Sequence, residues 1–151
     1  LRLLRAAGTP TRVIAHCAAV TDEAVRLAGV LRQSGVAIDT ALVENAAMLH
    51  DLARAQPEHA ARGADWLGEL GYPALADIIS GHHDLPDHPS AETELLYLSD
   101  KLVAGTEIVS LEERFSESYK KCTDDNARRN WERRRSAAEK IVKKYRLEAL
   151  V

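Results

Sequence analysis

From Val13 to Leu31 the apolar residues return every three or four positions, as Val13, Ile14, Cys17, Val20, Ala24, Leu27, Ala28 and Leu31. This is the 3.6-residue period of a helix with one buried face. Thr9-Pro10 marks its start, with a hydroxyl at the N-cap and a proline at N1, and Gly35 its end. The same punctuation recurs down the chain. Asp39 caps a second helix carrying Leu42, Val43, Ala46, Leu49 and Leu52; Pro57 opens a third that runs to Gly71; Pro73 opens a short fourth ending at His82 and His83. Asp84 to Pro89 reads as a loop. Ser90 caps a fifth helix that Gly105 ends, Ser110 with Glu113 fits a capping box for a sixth, and a charged last helix runs from about Asp125 to Leu147. Ala and Leu number 24 and 19, Val and Ile together only 16, a balance that favours helix over strand. The expectation is an all-α fold, a compact bundle of about six to seven helices joined by short loops.

At 151 residues the chain is one domain, or a domain and a tail, and it buries enough surface to fold without a staple. With 46% hydrophobic and 28% charged residues it falls outside the disordered, collagenous and membrane-spanning classes. No apolar run approaches the ~18 residues of a membrane span, and no signal-peptide pattern opens the chain. Two cysteines, Cys17 and Cys122, point to a reducing, cytoplasmic setting and not to a disulfide framework. The chain begins at Leu1 and not Met, as a segment of a longer protein would. The net charge of −3 gives no whole-molecule affinity for nucleic acid. It conceals an asymmetry: from Glu117 to Glu148 there are 11 Lys and Arg against 6 Asp and Glu, a basic tail of +5 behind an acidic body of −8.

The chemistry-bearing residues are spread over the helices. His16 lies on the first, His50 and Asp51 are adjacent on the second, His59 is early on the third, His82 and His83 end the fourth, and Asp100 is on the fifth. His16 falls within one turn of Ile14, Cys17 and Val20, His82 four residues after Ile78, and Asp100 four after Leu96, so the periodicity turns them inward. Imidazole and carboxylate together suit iron, manganese or zinc, and an aspartate can bridge two ions. A bundle can point one ligand inward from each helix. Taken one at a time these residues are ordinary: a single histidine beside an apolar face is more often satisfied by a backbone carbonyl than by a metal. His88, between two prolines, reads as solvated. The set carries the inference.

In the order His16, His50-Asp51, Asp100, the chain resembles the HD-domain superfamily of metal-dependent phosphohydrolases, over roughly Thr9 to Val109. Members with a two-metal centre place further histidines between the His-Asp pair and the last Asp. Here those are His59 in PEHAARGADWLGELG and His82-His83 in ISGHHDL. Bacterial HD proteins that cleave diadenosine tetraphosphate symmetrically have similar stretches, including a basic residue three after the His-Asp pair, here Arg54. The chain also departs from its relatives. His82-His83 is followed by Asp84-Leu85-Pro86, where the cyclic-di-GMP phosphodiesterases have Gly-Tyr-Pro. The Gly71-Tyr72-Pro73 that does occur precedes the double histidine and separates two helices. The tetraphosphate hydrolases have a hydroxyl residue where His83 stands. The resemblance therefore implies no particular substrate.

It does imply a metal-dependent phosphohydrolase acting on a nucleotide or other small phosphorylated metabolite, with one or two divalent ions (iron, manganese, another transition metal, or magnesium). His16, His50, Asp51 and Asp100 would hold the first ion. Asp51 would bridge to a second, completed by His59, His82 and His83, and in a one-metal centre the last three would contact substrate or protonate the leaving oxygen. Asp51, Arg54 and His83 are the candidate catalytic residues. Arg54, one turn after His50, has the planar fork that suits phosphate. Lys101 projects about 100° from Asp100 on an ideal helix, as a phosphate contact, or as a lysine at the surface or behind the ligand. Asp84 would orient His82 or His83, or simply begin the loop. Two other functions share the ligand set: a di-iron oxygenase, and a nucleotide-sensing module without turnover. Residues 1–109 would form the metal-binding domain and 110–151 a helical extension packing on it. Its stretch RRNWERRRSAAEKIVKKY reads as an amphipathic helix against the body, or as a contact for a partner, a second subunit or a phosphate-rich ligand. No membrane or specific nucleic-acid partner is expected.

Overall fold

The computed structural model describes residues 1–151 as eight helices and one two-stranded ribbon. In order these are α1 (Arg2–Ala6), α2 (Thr11–Gln33), α3 (Thr40–Leu49), α4 (His59–Glu69), α5 (Pro73–Ser80), α6 (Ala91–Lys101), β1 (Val103–Ala104), β2 (Glu107–Ile108), α7 (Leu111–Tyr119) and α8 (Asp125–Tyr145). The fold is all-α, with one helix more than expected. That helix, α1, has five residues, too few to show a period, yet it buries Leu4 completely.

Half of the helix starts follow the capping rule. Asp39, Ser90, Ser110 and Asp124 each accept a hydrogen bond from the backbone N–H three residues on, and Ser110 with Glu113 completes a capping box. Thr9 does not cap. Pro10 is the N-cap of α2, and the Thr9 hydroxyl donates instead to the Leu52 carbonyl at 2.8 Å, tying the start of α2 to the turn after Asp51. α4 begins at His59 and not at Pro57, because Glu58 adopts the left-handed conformation (φ 52°), which costs roughly 1–2 kcal/mol in a residue with a Cβ. α3 stops at Leu49 and α5 at Ser80, so His50, Asp51, His82 and His83 sit just past helix ends. α6 stops at Lys101, short of Gly105. Gly105, at φ +65°, makes the turn of the β1–β2 ribbon, which pairs Val103 with Ile108 and Ala104 with Glu107.

α6 is the centre of the bundle: every residue from Thr93 to Lys101 is buried. Packed among α2, α3, α5 and α8, it contributes Leu95, Leu96 and Leu98 to a core that also takes in Leu27, Leu31, Val43, Ala46 and Ile79 and extends to Ala138, Ile141 and Val142 of α8. A helix enclosed on all sides must satisfy its polar groups internally. Glu94 receives Lys144 and Tyr145 from α8, and the Tyr97 hydroxyl donates to the Arg134 carbonyl at 2.9 Å. Asp100 and Lys101, at the far end of the same helix, meet the histidines.

Candidate metal centre

Five segments deliver the seven expected side chains to one place. His16 comes from α2, His50 and Asp51 from the end of α3, His59 from the first position of α4, His82 and His83 from beyond α5, and Asp100 from α6. The imidazoles form a run of neighbouring rings from His16 through His50, His82 and His83 to His59, with centroids 4.1 to 5.4 Å apart. The ligand atoms fall into two groups, His16–His50–Asp51 and His59–His82–His83, each with all its donor atoms within 4.8 Å of one another. Asp100 joins the first, its Oδ1 3.1 Å from His16 Nε2 and 3.7 Å from His50 Nε2. Asp51 lies between them: its Oδ2 is 3.8 Å from His50 Nε2, while its Oδ1 is 3.1 Å from His59 Nε2 and 3.7 Å from His82 Nε2.

Three backbone carbonyls set the imidazole tautomers. A carbonyl only accepts, so Nδ1 donates from His16 to Gly105 (2.8 Å), from His50 to Ala47 (2.7 Å) and from His82 to Ile79 (2.7 Å). In the neutral rings Nε2 is then a bare lone pair facing the site, the arrangement found in metal-ligating histidines. His50 Nε2 and His82 Nε2 are buried with no hydrogen-bond partner at all, a costly state for isolated polar atoms. Elsewhere in the site ring nitrogens face carboxylates or one another across contacts that require a proton. His16 Nε2 opposes Asp100, His59 Nε2 opposes Asp51, and His59 Nε2 lies 2.7 Å from His83 Nε2, so that one of the two must carry a proton. A divalent cation in each group would replace these protons and satisfy the orphaned nitrogens. The residues fit the group.

Protonation agrees. Burial pushes the His50 imidazole down to about 4 and that of His83 down to about 3, and burial also lowers His59; these rings are free bases at neutral pH. The hydrogen bond to Asp100 outweighs burial at His16 and raises it. Burial opposes the charges of Asp51 and Asp100. At Asp51 it is overcome by His82, His50 and Arg54, and at Asp100 by Lys101, His16 and His50, leaving both carboxyls below their ordinary range. The Cys17 thiol, fully buried nearby, is pushed up to about 12 chiefly by burial, so it offers no thiolate.

At two neighbours the structure chooses between the alternatives the sequence left open. Lys101 leaves its helix at an angle to Asp100, but its stem is long enough for Nζ to return to Asp100 Oδ2 (2.8 Å) and to the His82 carbonyl (3.1 Å); it is a buried counter-charge to a ligand and not a surface lysine. Asp84 orients neither His82 nor His83. It is gripped from α8 by Arg133 and Arg134. Arg54 does face the site: Nη1 lies 3.1 and 3.2 Å from the two ring nitrogens of His59, hence over the ring, and Nε is 3.6 Å from Asp51. His88 is exposed, as expected. The cavity beside the centre, about 350 Å³, is lined by Arg12, His16, Asp51, Arg54, His82, His83, Asp100 and Arg114 among others. Arg12 and Arg114 escaped sequence reasoning. Arg12, one turn before His16 on α2, had a spacing that could have revealed it. Arg114 is brought in by the turn through Gly105, which leaves no periodic trace.

This all-α cage of histidines and aspartates is the site of a known class. The HD-domain family profile matches residues 13–105, and the chain belongs to that family, one of metal-dependent phosphohydrolases whose domains bind divalent cations. Over 74 residues it is 35% identical to an uncharacterized protein of Methanocaldococcus jannaschii, a match covering 47% of this chain and 44% of that protein, so less than half of the relative's length is spanned. No solved structure matches the chain.

Proposed function

We propose that the chain is a phosphohydrolase that holds two divalent cations across Asp51 and cleaves a phosphoester or phosphoanhydride bond in a nucleotide or other small phosphorylated metabolite. The observation that carries this reading is the position of the Asp51 carboxylate, with one oxygen toward His50 and the other toward His59 and His82. His16, His50 and Asp100 complete one cation site, and His59, His82 and His83 the other. The chemistry the two cations would supply when bound is a water of lowered pKa and a polarised phosphoryl oxygen. Arg54, its guanidinium over His59 at the cavity edge, offers a fork to two phosphate oxygens. Arg12 and Arg114 line the same cavity and add charge of the same sign. Lys101 stays with Asp100 and keeps that carboxylate ionised. His83, half-buried at the rim and 2.7 Å from His59, faces the same cavity and would hold the second cation there; in a centre with one cation it would contact the substrate instead.

The test is a panel of nucleotides, phosphomonoesters and bis-p-nitrophenyl phosphate with the Mn²⁺- or Fe²⁺-loaded chain. Release of phosphate or p-nitrophenol, lost in Asp51→Ala, is expected. Oxygen uptake with a polyol or phosphonate and no hydrolysis would instead make the protein an oxygenase. Stoichiometric nucleotide binding without product would make it a sensor.

A further inference from the structure

A second cavity, about 450 Å³, adjoins the metal centre and shares His83, Asp100 and Arg114, but not Arg54, with the first. Its outer wall is built by α7 and α8, beyond the residues that match the HD family. Its size suits a small molecule or a chain of phosphates, and its charge decides between ligands. Lys101, Arg114, Lys121 and Arg134 line it, and Asp100 is its single carboxylate. Two of those cations are committed, Lys101 to Asp100 and Arg134 to Asp84. Arg114 and Lys121 have no carboxylate within ion-pair reach, although the neighbouring Lys120 pairs with Glu117. Arg114 is half-buried in the first turn of α7, the positive end of the helix, where a cation gains nothing from the helix dipole. The wall is firm: the Trp131 indole N–H donates to the Phe115 carbonyl at 2.9 Å and lies 3.1 Å from the Ser118 hydroxyl.

A half-buried arginine without a counter-charge, held at the junction of two cavities, is a receptor awaiting an anion. We propose that the α7–α8 cavity is a polyphosphate subsite. On the hydrolase reading above, on which this rests, the substrate is then a nucleoside di- or triphosphate or a comparable phosphoanhydride. The phosphorus attacked lies at the metal centre, Arg114 spans it and the next phosphate, and Lys121 meets the phosphate beyond. The extension outside the family match thus sets the substrate class.

The experiment is titration calorimetry of inorganic tripolyphosphate and of orthophosphate onto the full chain, metal-free and Mn²⁺-loaded with free Mn²⁺ held equal. Wild type should bind tripolyphosphate at least about tenfold more tightly than orthophosphate in both states. Lys121→Ala, an exposed change that leaves the core intact, should cost about tenfold in tripolyphosphate affinity and less than about twofold in orthophosphate affinity. Arg114→Met should weaken both. Equal affinity for the two anions, or an equal loss of both in Lys121→Ala, overturns the subsite. Binding is read without turnover, so a chain that binds tripolyphosphate this way yet cleaves no phosphate bond keeps the subsite and loses the hydrolase reading.

Discussion

Asp84 follows His83 in the chain and is clasped by Arg134 fifty residues later, fork to fork, with Nε 3.0 Å from Oδ1 and Nη2 2.8 Å from Oδ2. Arg133 adds a third contact at 2.8 Å. The loop that carries two metal-facing histidines is therefore pinned by the basic tail helix, an electrostatic tie between the chain's acidic and basic halves. The pair is partly exposed, so its contribution is modest, within about 1 kcal/mol. Asp84→Asn should weaken cation binding at His59–His82–His83 by a few-fold and leave the His16–His50–Asp100 side unaffected, as read by competitive metal titration. Equal weakening of both sides would mean that Asp84 acts on the fold and not on the loop.

The two sides of the centre should be separable. His59→Ala removes a ligand from one group only, and its ring, at the first position of α4, carries little of the core. Elemental analysis of that variant should show about one cation fewer per chain, with the other retained. Unchanged stoichiometry would point to a single cation held at the other group.

Gly81 precedes the double histidine and has no room for a side chain. A Cβ there would meet Thr93 Cγ2 at 2.7 Å and Pro86 Cδ at 3.2 Å. Thr93 is a short, buried, β-branched residue of α6 and cannot swing aside. Gly81→Ala should cost about 1–3 kcal/mol in denaturant unfolding and lower cation affinity by shifting His82. Wild-type stability together with wild-type affinity would show that the α5–α6 contact yields easily.

Protonation sets the acid limit of the metal-free protein. His50 falls from 6.5 to about 4 on folding and His83 to about 3, both through burial. A folded value below the unfolded one means stability that is complete above pH 6.5 and is lost as the pH falls toward 4, because the unfolded chain takes up the protons first. His16 is raised and works in the opposite sense, but it is outnumbered. The denaturant midpoint of the metal-free chain should fall between pH 7.5 and 5, and bound cation should move that fall to lower pH by holding the imidazoles deprotonated. A midpoint that rises on acidification would contradict the assignment of buried neutral rings.

The bundle was legible because its helices announce themselves locally. Asp39, Ser90 and Ser110 cap where they were expected to, and the apolar period of α2 marks its buried face. What escaped depends on tertiary contacts. Thr9 has the local signature of a cap, but a buried carbonyl at Leu52 claims its hydroxyl. Gly105 reads as a helix stop, yet it turns a ribbon whose carbonyl fixes the His16 tautomer. That these seven side chains would gather in one place was recoverable from their order in the chain. The heading of Lys101 was not, because a backbone angle says little about the head of a four-carbon side chain. Nor was Arg114, since no spacing rule reaches across a turn.

The shared position of Asp51 is the centre of this account, and metal content per chain tests it most directly. Protein purified without added ions and then reconstituted with Mn²⁺ or Fe²⁺ should carry about two cations in the wild type and essentially none in Asp51→Ala, with circular dichroism showing both to be equally helical. A folded Asp51→Ala protein that keeps its full complement of metal would contradict it.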